Sequence, residues 1–118
     1  MKKYLILVAL FLSINSYANF QTLDELFTAC EAPVDPKMSE VMLESQCLGY
    51  VAGVIDASQV IFSVRPTSLL FCLPEGGVTP DLALKATKKW VKAYPKDSAG
   101  TTARMGLIIG LAQSYPCR

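Results

Sequence analysis

The stretch Cys47–Phe62, CLGYVAGVIDASQVIF, decides how this chain folds. Apolar side chains dominate it, only Asp56 brings a charge, and Gly49, Gly53 and Ala57 recur every fourth residue. That spacing puts the small residues on one line along a helix, so the segment reads as a central helix with a ridge almost free of side chain, which another backbone can approach closely. Gly106 and Gly110 repeat the spacing inside Met105–Ala112, MGLIIGLA, a run with no polar side chain on any face. Such a helix must be buried all round, by its own domain, by a second copy, or by both. The two glycine ridges are expected to pack on each other, with Gly49, Gly53, Gly106 and Gly110 as packing positions. Asp56 is then expected to serve structure, as a partner for Arg104 or for a backbone group.

Working outward, Leu23, Leu26, Phe27 and Cys30 mark one face of a first helix over Leu23–Glu31, which Thr22 and Glu25 begin with a capping box. Pro33 and Pro36 then interrupt the pattern, and Asp35 is placed to cap a second helix that runs from Pro36 or Ser39 to Phe62. Periodicity stops between Ser63 and Thr79, where two prolines and two glycines mark a loop that nevertheless carries Leu69, Leu70, Phe71 and Leu73. These anchors are expected to fold back on the core, leaving Arg65 and Pro66 as the candidates for exposure; an exposed binding surface is the alternative. Thr79-Pro80-Asp81 starts a third helix that ends near Tyr94. Leu82, Ala86, Trp90 and Ala93 fall on its inner face and Lys85, Lys88, Lys89 and Lys92 on the other. A lysine stripe of this kind is a solvated face or a contact for an acidic protein surface. Asp97 or Ser98 is placed to cap the last helix. The fold class expected is all-α, a small bundle of about four helices.

The chain has 118 residues, room for one domain. Lys2 and Lys3, the apolar run from Tyr4 and the small residues Ser16 and Ala18 make residues 1–18 a secretory signal peptide, cleaved before Asn19, with the domain over 19–118. The run is too short to span a membrane, and no cysteine at the cleavage point suggests a lipoprotein. What remains is nearly neutral, which argues against nucleic acid as a partner, and it shows no further membrane signal. Cys30, Cys47, Cys72 and Cys117 all survive cleavage. An even count in a small exported domain reads as two disulfides, and with no histidine and no CxxC pair no metal or other cofactor is expected. A short Pro95–Asp97 turn makes the third and last helices antiparallel neighbours, which pairs Cys72 with Cys117 and leaves Cys30 for Cys47. Without histidine the usual hydrolase constellations lack their base, so no catalytic residue is assigned and the chain is not read as an enzyme.

The ordered set of a cysteine closing the first helix (Cys30), CLGYVAGVIDA (47–57), FCLPEGGVT (71–79), WVKAYP (90–95) and a terminal YPC (115–117) resembles the Rap/Tai family, immunity proteins of type VI secretion systems. The likeness spans the mature chain. Gly76-Gly77 doubles a glycine that is usually single, and the segment after Pro95 lacks an arginine found in many relatives. The resemblance implies a periplasmic, disulfide-bonded helical homodimer whose partner is a cognate peptidoglycan amidase toxin. The toxin's cleft, where a cysteine and a histidine cut peptide cross-links, is plugged rather than chemically modified. On physical grounds the surface entering that cleft is the Ser63–Leu70 loop, with Arg65, Pro66 and Ser68, and the lysine stripe comes second. A periplasmic helical chaperone or stress-response protein is the competing class.

Overall fold

The computed structural model describes residues 20–31, 33 and 35–118, with Ser68 described in its backbone alone. The expected signal peptide lies outside the described residues. Among the described residues there are five helices and no strand: α1 (Leu23–Cys30), α2 (Met38–Val64), α3 (Pro80–Ala93), a single turn α4 (Pro95–Ser98) and α5 (Ala103–Ser114), with a 3-10 turn at Pro66–Ser68. The fold class expected from the sequence is the one observed.

Each start has a local cause. Thr22 and Glu25 form the expected capping box on α1, and Thr79 accepts from the Leu82 amide at the head of α3. Two caps differ from expectation. Asp35 does not cap α2; Lys37 is its N-cap, and Glu40 reaches back to accept from the Lys37 amide at 2.6 Å. Asp97 and Ser98 belong to the α4 turn, while Thr102 caps α5 by accepting from the Met105 amide. The caps of α1 and α5 are neighbours, since Thr22 and Thr102 form an isolated antiparallel bridge and the Ala103 amide donates to the Gln21 carbonyl.

The core lies between α1, the inner face of α2, α3 and α5. Leu26, Val51, Phe71, Leu107 and Leu111 are fully enclosed, and Trp90 is nearly so. The inner face of α3 is Ala83, Leu84, Ala86, Thr87 and Trp90, not the expected Leu82 and Ala93, which are exposed. Thr87 was hidden from a polarity reading because its hydroxyl donates to the Ala83 carbonyl at 2.8 Å, which lets the residue be buried without an unmet polar group. The two disulfides are Cys30–Cys47 and Cys72–Cys117, the pairing expected. The first brings the end of α1 to within 5.4 Å (Cα to Cα) of the middle of α2, because α1 lies back alongside that helix. In the chain-entropy picture closing these loops is worth about 3 and about 4 kcal/mol.

The glycine ridges do not meet. Gly106 packs on the Leu23 side chain of α1, and a Cβ at Gly110 would lie 2.5 Å from the Cα of Thr87 on α3. Gly49 and Gly53 are exposed, with nothing within 4 Å of where a Cβ would stand. The glycines that permit a close approach are therefore those of α5, Gly106 toward α1 and Gly110 toward α3. Its own domain does not cover α5 all round, since Met105 is 49% exposed.

Candidate protein-binding surface

Pro66 cannot supply the amide that would carry α2 further, so the helix ends at Val64, with the Arg65 amide donating to the Ile61 carbonyl. The chain then makes the Pro66–Ser68 turn and dives back. Phe71 is the plug: it is fully buried and packs edge-on against Phe62 of α2, ring centroids 5.1 Å apart. The next residue, Cys72, is tied to Cys117, and its amide donates to the Tyr115 carbonyl. Residues 65–70 are thus held outward between two fixed ends.

The loop's apolar residues divide. Phe71 and the half-buried Leu73 turn inward as expected, whereas Leu69 and Leu70 are exposed. Arg65 and Pro66 are exposed as well, beside a shallow depression lined by Val60, Ile61, Val64 and Arg65. Ser68 closes the 3-10 turn; its side chain lies outside the described residues. The end of α2 and the loop that follows it thus each expose apolar residues, Val60, Ile61 and Val64 on the helix and Leu69 and Leu70 on the loop, with Arg65 between them in sequence. Val64 falls within the Ser63–Leu70 segment expected to bind, whereas the contribution of Val60 and Ile61 escaped the sequence reading, which assigned them to the central helix. The one available signal was the absence of any polar stripe on so long a helix.

The lysine stripe is only partly free. Lys85, Lys89 and Lys92 are exposed, but Lys88 pairs with Glu31 at 3.1 Å and stands over the Phe27 ring, its ammonium 5.3 Å from the centroid. It fastens α3 to the end of α1, although an ion pair this exposed contributes little, about 0 to 1 kcal/mol. Asp56 also departs from expectation. It is exposed on α2, and among the described residues it has no ion pair with Arg104. Arg104 instead lies by Tyr50, where they line a small depression with Phe20, Gln21 and Thr102. Burial pushes the Tyr50 phenol above its ordinary pKa, and the positive Arg104 pulls the other way. Among the described residues no three His, Cys, Asp or Glu side chains converge as a metal site would require.

The sequence profile of the Rap1a immunity proteins matches residues 22–117, nearly everything from the cap of α1 to the final cysteine. The chain belongs to the Rap1a immunity protein family. Comparison with curated proteins and with solved structures gave no match. As a Rap1a immunity protein it has a toxin-immunity role, and the two disulfides suit a family whose members are typically secreted or periplasmic.

Proposed function

We propose that this protein is a periplasmic immunity protein that acts as a homodimer and occludes the active-site cleft of a peptidoglycan amidase delivered by a type VI secretion system. The observation that carries this reading is the outward turn at Arg65–Leu70, fixed between the end of α2 at Val64 on one side and the buried Phe71 with the Cys72–Cys117 bridge on the other, within a Rap1a fold. A segment already ordered in the free protein loses little entropy on entering a cleft, so it suits inhibition by plugging. Arg65 supplies the charged contact, Pro66 and the Ser68 turn set the shape, and Leu69 and Leu70 supply apolar contact area. Lys85, Lys89 and Lys92 form a second, flanking contact for acidic groups around the cleft. No cofactor and no catalytic residue take part. The first eighteen residues would carry the chain to the compartment where the disulfides form and the toxin acts.

Co-expression in the periplasm with each amidase toxin encoded beside the gene tests the reading. Rescue of growth together with a stable complex is the expected result. If no toxin is neutralised and none co-purifies, the amidase assignment is wrong.

A further inference from the structure

α2 turns to solvent a face whose chemistry reads the same from either end. Its buried residues, Cys47, Val51, Ile55, Ser58 and Phe62, lie on one side. On the other, positions 42, 46, 49, 53, 56 and 60 alternate spacings of four and three residues, which is the seam of a helix pair. Counting outward from Val51, Gly49 mirrors Gly53, Gln46 mirrors Asp56, and Met42 mirrors Val60. One turn further, Met38 mirrors Val64, and these last two are 76% and 75% exposed. Small residues meet small ones at the centre, an amide meets a carboxylate next, and apolar residues meet at both ends. A face that is its own complement under reversal is what an isologous two-fold contact requires.

We propose that two copies of this chain pair antiparallel through this face, about a two-fold axis level with Val51. This rests on the homodimer reading given above and names the surface that makes it. Gly49 of one copy approaches the partner's Gly53, and with no Cβ on either the backbones come unusually close. The Gln46 amide donates to the partner's Asp56 carboxylate, which gives the solitary charge of the central segment a partner that the described residues of its own copy do not supply. Met42 packs on the partner's Val60. A helix of 27 residues is about 40 Å long, and its outer face offers on the order of 600 to 800 Å² per copy, close to the about 800 Å² per partner of a standard interface.

The same helix is long and apolar enough to cross a membrane, with mean hydropathy 1.5 over its most apolar window. A bilayer is the wrong occupant, because it would strand Gln46 and Asp56 in hydrocarbon and leave Cys47 tied to a domain in water. Pairing also has a consequence for binding. It covers Val60 and carries the partner's Met38 end alongside Val64, so the toxin-facing surface left open is the Arg65–Leu70 turn, bordered by residues of the other copy.

Sedimentation equilibrium of the oxidised full chain tests this. The wild type is expected to be a dimer, and Gly53→Leu, which meets nothing within its own domain, is expected to keep its circular dichroism and weaken dimerisation at least about 100-fold. Gln46→Glu, which faces a like charge, is expected to weaken it about 10-fold, and Gln46→Glu with Asp56→Lys to recover it. A wild-type monomer at all concentrations overturns the proposal and the homodimer reading together. A dimer indifferent to Gly53→Leu overturns this face and leaves the homodimer standing; no recovery by the double variant overturns the antiparallel register. Binding of the monomer to phosphatidylethanolamine–phosphatidylglycerol vesicles through this face would assign it to a membrane instead. Toxin protection, scored separately with Arg65→Glu, reports on the inhibitory reading alone.

Discussion

Gly110 of α5 sits directly on Thr87 of α3, so close that a Cβ at 110 would stand 2.5 Å from the Thr87 Cα and 2.8 Å from its hydroxyl oxygen. The obstacle is backbone, which cannot rotate aside as a side-chain tip can. Gly110→Ala is therefore expected to destabilise the fold by about 2 to 4 kcal/mol in urea unfolding, through the overpacking it forces. Gly49→Ala, on the open ridge, is the contrast. At a dilution where the chain is monomeric it should gain about 0.5 to 1 kcal/mol from improved helix propensity. Equal effects at the two sites would contradict the packing described.

The disulfides differ in access. Cys72 and Cys117 are both exposed, whereas Cys47 is fully buried and shields its bond to Cys30. Mild reduction followed by alkylation and peptide mapping should label Cys72 and Cys117 first, because a thiolate must reach the sulfur it attacks. Opening that bridge leaves Phe71 in place, so the loop should loosen without the domain unfolding. Earlier labelling of Cys30 and Cys47 would count against this order.

Among the described residues, the buried amide nitrogen of Gln59 finds no hydrogen-bond partner. Replacing it with methionine, of similar length and without the stranded donor, should raise stability by about 1 kcal/mol, read as a higher urea midpoint. A loss of stability would mean that a partner for the amide, such as an ordered water, is being removed.

No histidine titrates in this chain, so stability should be nearly flat from about pH 6 to pH 9. Tyr50 contributes on the alkaline side. Its folded-state pKa lies above the ordinary tyrosine value of about 10, so the unfolded chain releases the phenolic proton first. Stability is then complete below about pH 10 and declines as pH rises through the folded value. Tyr50→Phe should make that decline shallower in a series of melting curves.

The proposed binding patch is separable from the fold. Leu70 is 58% exposed and Arg65 caps α2 through its backbone alone, so Leu70→Asp and Arg65→Ala should leave the unfolding midpoint within about 0.5 kcal/mol of wild type. Toxin affinity should fall by at least about tenfold for each. Lys88→Ala is the control: it removes the Glu31 pair and the contact with Phe27, and should lower stability slightly and more so at low salt.

Much of this protein is written in local sequence. The capping box at Thr22 and Glu25, the Thr79-Pro80 start and the Pro66 stop are each decided by a few adjacent residues, because caps and proline act through the nearest backbone groups. The disulfide pairing was legible for a related reason: the connection between α3 and α5, residues 94–102 with the α4 turn, is longer than the Pro95–Asp97 turn expected, yet it still returns the chain antiparallel and brings Cys117 to Cys72. What sequence could not decide was which apolar face finds a partner. MGLIIGLA and CLGYVAGVIDASQVIF carry the same glycine spacing, yet Gly110 lies against Thr87 while Gly53 faces open space. Spacing fixes only that a close approach is possible; where the other helices stand fixes whether it happens. Leu69 and Leu70 point outward and Phe71 inward for the same reason, because room for one aromatic ring against Phe62 is a property of the assembled core, not of the loop.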